Sequence, residues 1–559
     1  MGATQSTLQS HVLSTSRGKL KGVKYVDENG RTLCYRYAKV PYALPPVGPF
    51  RWRRPRALPD DFSFNNASGD PGDYTRFGPV CPQPTHMFNF DKAMVANPPG
   101  EPSDEDVQDE DCLYLNIWVP AQTAPSHGWP VQIHIHGGWL QVGSACQSSD
   151  HDPCDLLADS TPRIIVSPTH RLGVFGFLGG EDLVGLGEDL SASNYGLWDQ
   201  RCAIEWVAKH ISLFGGDPHN LTVGGQSAGA YSAFFQLYYD AFRPASERLI
   251  RRAYLWSNAV AVQPNPVDSP ALTAQFDDLC GVLNVSTTAT QAQKLSSLRA
   301  VTSADIVSSF HKMKLYTFRA STDKAFISPT LISSVLSGEF ATRLARNGTR
   351  LLLCEVEHED RFYRLNNPPK SYAAFLQGLR NYYPEAVVNA LVSHYSMPVD
   401  QNDAETWADL FGTMISDAQV HASQRGLTHA LLHPNIAVPG IEAFPAANLL
   451  RFRIQWRAKC VDDWVHPHLG TCHVLDAPIW WASGWRAGFT EQDKESTLRF
   501  IEIFGQWLSG HDVAQPGSQG ERSLTLLDKS GAICWNQSDD HWERELEVWN
   551  VIQAAQQVT

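Results

Sequence analysis

The 559-residue chain predicts an α/β fold: one large, mostly parallel sheet with helices on its faces. Three observations predict it. Short apolar runs recur between longer stretches of helical periodicity: VQIHIH (131 to 136), RIIVS (163 to 167), LTVGG (221 to 225), RRAYLWS (251 to 257) and LLLCEV (351 to 356). Runs of this kind suit strands covered by helices on both sides, as parallel strands are. Leu197, Ile204, Val207 and Ile211 share a helical spacing that stops at Gly215-Gly216-Asp217-Pro218, residues that end a helix. Finally, LTVGG leads through Gly225-Gln226-Ser227-Ala228-Gly229 into the helical run Ala230 to Leu237, a strand, a sharp turn and a helix in succession.

The remaining elements follow in order. Strand-like sequence begins near His11 and Val12, and the chain closes on Trp542, Leu546, Trp549 and Ile552, an amphipathic spacing after Ser538-Asp539-Asp540. Acidic residues favour a helix start, so this reads as a terminal helix. The stretches of roughly 260–350 and 360–460 are irregular and mixed, as insertions that roof a sheet would be. No tandem repeat, low-complexity tract or composition shift marks a linker.

Composition excludes several classes. With 43% hydrophobic and 19% charged residues, the chain has ample apolar material for a core and is not disordered. A formal charge of -14 repels polyanions, which argues against nucleic acid as a partner. No apolar run approaches the roughly 20 residues of a membrane-spanning helix. The first twenty residues lack the apolar centre of a secretory leader, so a cytoplasmic location is expected. Gly2 opens a loose myristoylation pattern, and a single acyl chain anchors only marginally. Eleven cysteines without a CxxC pair fit neither a disulfide framework nor a zinc ribbon. Oligomeric state leaves no trace in the sequence.

The chemistry centres on Ser227. A serine at the tip of a strained turn needs neighbours without side chains, which Gly225 and Gly229 supply, and the turn sets its Oγ at a helix N-terminus that favours negative charge. His136-Gly137-Gly138-Trp139 follows VQIHIH directly and places backbone N–H groups where they could face that turn. His134 and His136 lie on one strand face, but no third ligand accompanies them, so neither a metal nor another cofactor is expected.

Several separated blocks then carry a resemblance: VPYALPPVGPFRW (40 to 52), EDCLYLNIWVP (110 to 120), IHGGW (135 to 139), HRLGVFGFL (170 to 178), NYGLWDQRCAIEWV (194 to 207) and FGGDPHNLTVGGQSAGA (214 to 230). In this set and order the chain resembles the type-B carboxylesterase/lipase family. The resemblance implies the α/β-hydrolase fold and a single catalytic domain over 1–559. It also implies a Ser, Glu, His triad in that chain order. In LLLCEVEHEDRFY the family's G-x-N-x-D-E-G pattern places the acid on Glu359, with Cys354 for the first glycine and Asp360 for the last. Glu355, Glu357 and Asp360 are the alternatives if the register slips. Gly470-Thr471-Cys472-His473 with Asp476 matches the family's G-x-x-H-x-x-(D/E) block and points to His473, with His466 and His468 as rivals by proximity.

The resemblance further assigns oxyanion donors to the N–H groups of Gly138, Trp139 and Ala228. It places Cys81 and Cys112 where relatives form a disulfide; a reducing compartment would leave them as two thiols. Trp139 stands where the family carries glycine: a backbone donor survives that replacement if the φ/ψ is not glycine-only, whereas a required positive φ would strain the tryptophan and leave the hole to depend on Gly138 and Ala228. Gln226 replaces the glutamate of cholinesterases, and no Trp lies between Cys81 and Cys112, so a quaternary-ammonium substrate is not expected. Phe88 and Phe90 are weak substitutes. Asn258 replaces a customary glycine.

The expected activity is therefore that of a serine carboxylesterase of EC 3.1.1 type, forming an acyl-Ser227 intermediate on a hydrophobic or aromatic small-molecule ester. Acyl transfer or lactone chemistry through the same intermediate is the near alternative, and a non-catalytic interaction protein the remote one. The GQSAGA and HGGW variants resemble intracellular fungal members of the family, some of which serve secondary metabolism.

Overall fold

A computed structural model describes residues 6–84, 107–145, 152–184, 186, 193–365, 368–398, 403–483, 488–513 and 520–557. Among them the main sheet runs through twelve strands: β1 Thr7–Thr15, β2 Gly18–Val26, β3 Thr32–Pro41, β4 Tyr114–Pro120, β5 Trp129–Ile135, β6 Ile164–Pro168, β7 Gly216–Gln226, β8 Arg252–Trp256, β9 Arg350–Val356, β10 Leu449–Ile454, β11 Ser523–Leu527 and β12 Ile533–Ser538. Their spatial order is β1-β2-β3-β4-β6-β5-β7-β8-β9-β10-β11-β12, and a two-residue strand, Gly72–Asp73, adds to β2. Every neighbouring pair from β6 to β11 is parallel; β1 to β4, the β4/β6 pair and β11/β12 are antiparallel. This is the α/β-hydrolase architecture.

Period-two alternation explains why the parallel strands are apolar on both faces. In β8, Ala253 and Leu255 enter one hydrophobic cluster while Tyr254 and Trp256 enter the other. In β9, Leu351 and Leu353 divide from Leu352 and Cys354 in the same way. The sheet is thus sandwiched between two cores, and each face needs its own cover of helices. The predicted helix is Tyr195–His210, extended by a tighter turn Ile211–Phe214 and closed by Gly215 at φ +83°. The terminal helix is Trp542–Gln557. Asp539, however, is fully engaged with buried arginines rather than serving only the helix start.

The two irregular stretches fold mainly as helices, including Pro270–Val282, Gln291–Ala300 and Glu339–Arg346 in the first, and Tyr372–Arg380, Glu385–His394, Ala404–Ser416 and Ala422–Leu432 in the second. Pro270, Leu272 and Gln275 of the first stretch and Arg380, Tyr382 and Tyr383 of the second line a cavity beside Ser227.

Candidate active site

Three side chains distant in sequence meet beyond the carboxyl ends of the parallel strands, where open α/β sheets place their ligands. Ser227 follows β7 with φ 57° and ψ -124°, a strained backbone that costs about 1–3 kcal/mol. The turn is clamped: Ser227 N–H donates to the Trp256 carbonyl at 2.8 Å. At Gly229 an added methyl would lie 2.0 Å from the Ile135 carbonyl oxygen, so only glycine lets the new helix pass so close to β5. Ala228 opens the helix Ala228–Ala241, and an N–H in the first helical turn has no intrahelical acceptor.

His473 Nε2 lies 2.8 Å from Ser227 Oγ, and its Nδ1 lies 2.5 Å from Glu359 Oε2. An ionised carboxylate only accepts, so Nδ1 carries the proton and Nε2 is left to accept from the serine hydroxyl. The second carboxylate oxygen, Glu359 Oε1, accepts from Val356 N–H at 3.0 Å. His358 and Cys472 form a parallel bridge, with His358 N–H donating to the Thr471 carbonyl at 3.0 Å. The loops bearing the acid and the histidine are therefore tied to each other. Ser227 is 5% exposed, His473 1% and Glu359 0%.

The rival residues point elsewhere. Glu355 is paired with Arg425, Arg453 and His421, and Glu357 with Lys529 at 2.9 Å. His466 and His468 face each other, ring centroids 5.5 Å apart, and neither bonds Ser227. Asp476, fully buried, accepts from Trp480 Nε1 at 2.9 Å; burial and the Glu359 charge push its carboxyl up to about 6.

Sequence reading did not single out Phe362 and Tyr363, whose rings lie 5.4 and 4.9 Å from that of His473. They sit three and four residues after Glu359 on the helix Glu359–Tyr363, a spacing that puts them one turn on and was the available signal. Gln226 proves more than a lost charge, since its Nε2 lies 3.3 Å from His473 Nε2.

The loop after β5 lies against the serine turn: a methyl on Gly137 would come within 3.2 Å of Ser227 Cβ. Gly138, Trp139 and Leu140 take φ of 107°, 56° and 66°. Trp139 thus occupies the left-handed region, which costs a side-chain-bearing residue about 1–2 kcal/mol. Its indole is buried and stacks on Phe362, centroids 5.7 Å apart at 10°, an apolar contact that offsets the strain. His134 Nδ1 pairs with Tyr254 Oη at 2.8 Å, and His136 Nδ1 with the Gly137 carbonyl at 2.7 Å.

Cys81 and Cys112, where the resemblance allowed a bridge, are buried neighbours drawn as thiols. Cys81 Sγ accepts from Leu172 N–H at 3.2 Å, and a hydrogen bond with Cys81, reinforced by burial, raises the Cys112 thiol well above its ordinary value. Gly2, Phe88 and Phe90 lie outside the described residues.

Comparison with known proteins places this geometry. The model of the Carboxylesterase family matches residues 9–543. The chain belongs to the carboxylesterase family. An uncharacterized esterase/lipase of Schizosaccharomyces pombe is similar to this carboxylesterase, 38% identical over 96% of the chain and 95% of the relative. A carboxylic ester hydrolase of Gibberella moniliformis is 36% identical over 97% and 96%, and the para-nitrobenzyl esterase of Bacillus subtilis 30% identical over 84% and 82%. The carboxylesterase is accordingly a carboxylic ester hydrolase of EC 3.1.1 type. No helix among its described residues is long and apolar enough to cross a membrane.

Beside Ser227 the carboxylesterase encloses a cavity of about 400 Å³. Trp139, Leu140 and Tyr231 line it on the sheet side, and Leu272, Tyr382 and Tyr383 on the helical roof. Asn258, the departure from glycine, also stands in its wall, with Oδ1 buried and without a hydrogen-bond partner.

Proposed function

We propose that the chain is one catalytic domain that hydrolyses an ester with an apolar body through an acyl-Ser227 intermediate. The observation that carries this reading is His473, hydrogen-bonded through one ring nitrogen to Ser227 and through the other to Glu359. His473 Nε2 takes the hydroxyl proton as Ser227 Oγ attacks the ester carbon, then returns it to the leaving alcohol. Glu359 keeps the ring in the required tautomer and stabilises the imidazolium. The N–H groups of Gly138 and Ala228 receive the oxyanion together with that of Trp139, whose φ of 56° is a strained left-handed conformation but not a glycine-only one, so that the backbone donor is kept; water, activated by the same histidine, then frees the acid. The largely aromatic and aliphatic wall suits a hydrophobic acyl or alcohol part.

The test is covalent labelling with a fluorophosphonate and turnover of p-nitrophenyl butyrate. Ser227→Ala should abolish labelling and reduce kcat by about a millionfold, with the thermal unfolding midpoint unchanged. A loss below tenfold would place the nucleophile elsewhere.

A further inference from the structure

The cavity beside Ser227 contains a cation that the hydrolytic machinery does not use. Arg319 lines it, and its side chain is held in place from two sides. Nε donates to the Asn381 main-chain carbonyl, and the guanidinium carbon sits 4.3 Å over the ring of Tyr382. Nη2 is buried without a hydrogen-bond partner, and Arg319 makes no ion pair among the described residues. The other arginine of the cavity, Arg380, differs: it lies at the exposed rim and is doubly bonded to Glu385, at 2.8 Å for each contact. Glu385 is the only carboxylate among the described lining residues, and it is occupied by that pair.

A pinned, half-buried guanidinium that stands in a cavity wall without a counter-ion among the described residues is incompletely compensated. It becomes favourable when an acceptor arrives, most of all an anionic one that meets the fork of the guanidinium. Acidic residues outnumber basic ones, 59 to 45, so a carboxylate could readily have been supplied by the chain. At Arg319 none is. We infer that Arg319 receives an anionic group of the substrate, so that the preferred ester carries a carboxylate, or a group of like charge and shape, besides the scissile bond. Arg319 is then a specificity-determining residue: the apolar wall accepts the body of the ester and the guanidinium fixes which end enters first.

This inference rests on the Ser227 reading, and two matched pairs of esters separate them. Monomethyl adipate against methyl hexanoate places the carboxylate in the acyl part; 4-acetoxybenzoate against 4-acetoxybenzamide places it in the alcohol part. The wild-type enzyme should prefer the anionic member of one pair by about tenfold to a hundredfold in kcat/KM, the range of a charged hydrogen bond. The pair that shows it identifies the side on which the charge lies. Arg319→Met, which keeps the apolar stem, should collapse that ratio to near one, chiefly by raising KM for the anionic ester. Should that variant fail to fold, Arg319→Lys, which retains the charge but not the fork, should leave an intermediate ratio. Equal turnover within both pairs by the wild type would overturn the inference. So would an Arg319→Met that loses equally on both members of the preferred pair, because a purely structural arginine behaves that way. Failure of the Ser227 reading looks different: Ser227→Ala keeps turnover of p-nitrophenyl butyrate within tenfold of wild type, whatever the ratios within the two pairs.

Discussion

Glu355 and Glu359 lie four residues apart, both are buried, and they end in opposite surroundings. Glu355, on β9, is enclosed by cations: Arg425 at 2.9 Å on both of its oxygens, Arg453 at 2.7 Å and His421 at 2.8 Å. Asp539 shares Arg425 and Arg453, so two carboxylates and a group of arginines form one buried ionic cluster. Burial alone would raise the Glu355 carboxyl, but Arg425, Arg453 and His421 overcome it and hold it well below the usual range. Glu359, just past the strand end, has one backbone N–H and one imidazole. The first carboxylate is shared among two guanidinium groups and an imidazole; the second serves a single ring, that of His473. Identical side chains therefore become one member of an ionic cluster and the lone carboxylate partner of His473 through the company that tertiary folding brings them.

That contrast can be broken from either side. The largest effect is expected at Glu359→Gln, which keeps the shape but accepts poorly from Nδ1–H: kcat on p-nitrophenyl butyrate should fall about 10⁴-fold with little change in thermal unfolding midpoint. Glu355→Gln should do the reverse. Leaving buried guanidinium groups short of a counter-ion costs about 3–5 kcal/mol, read by urea unfolding, while kcat stays within about tenfold. If both variants lost activity and stability together, the division of roles would be wrong.

The ionic cluster also predicts a pH response. Burial disfavours a charged His421, yet the Glu355 carboxylate outweighs it and raises the ring from 6.5 to about 9. A raised folded value means its contribution is full below about pH 6.5 and lost as pH climbs through 9. Urea unfolding of the wild type should weaken by about 1–3 kcal/mol between those limits, and His421→Asn should flatten that part of the profile. The smallest effect belongs to Asp476, whose carboxyl burial and Glu359 push up from 3.8 to about 6. Its charge opposes folding once pH exceeds that range, so Asp476→Asn should raise the unfolding midpoint at pH 8 but not at pH 4, with kcat within about threefold. A midpoint raised equally at both values would assign the gain to packing instead of charge.

Legibility followed the range of the forces involved. The strands 131–136, 163–167, 221–225, 251–257 and 351–356 were readable because their apolar runs are local, and each became β5, β6, β7, β8 or β9 within a few residues. β10, LLRFRI, was not, because Arg451 and Arg453 interrupt its apolar character and their partners Asp539, Asp540 and Glu355 lie roughly ninety residues away. The position of Ser227 was readable from the glycines that its turn demands. Phe362, Tyr363 and Arg319 were not read as part of the site, since ring packing on His473 and a guanidinium without a counter-ion in a cavity wall exist only after the helical roof closes.

By itself the sequence determined the sheet class, the strained serine turn and the blocks that bring Glu359 and His473 into consideration. These depend on backbone geometry and periodicity within a few residues. Only the tertiary structure decided which of several nearby carboxylates reaches the imidazole, that Trp139 bears a positive φ beneath a stacked indole, that Cys81 and Cys112 are buried side by side, and that Arg319 lines the cavity without an ion pair among the described residues. The physical reason is that charge pairing, burial and cavity shape depend on contacts between residues remote in the chain, which no local pattern encodes.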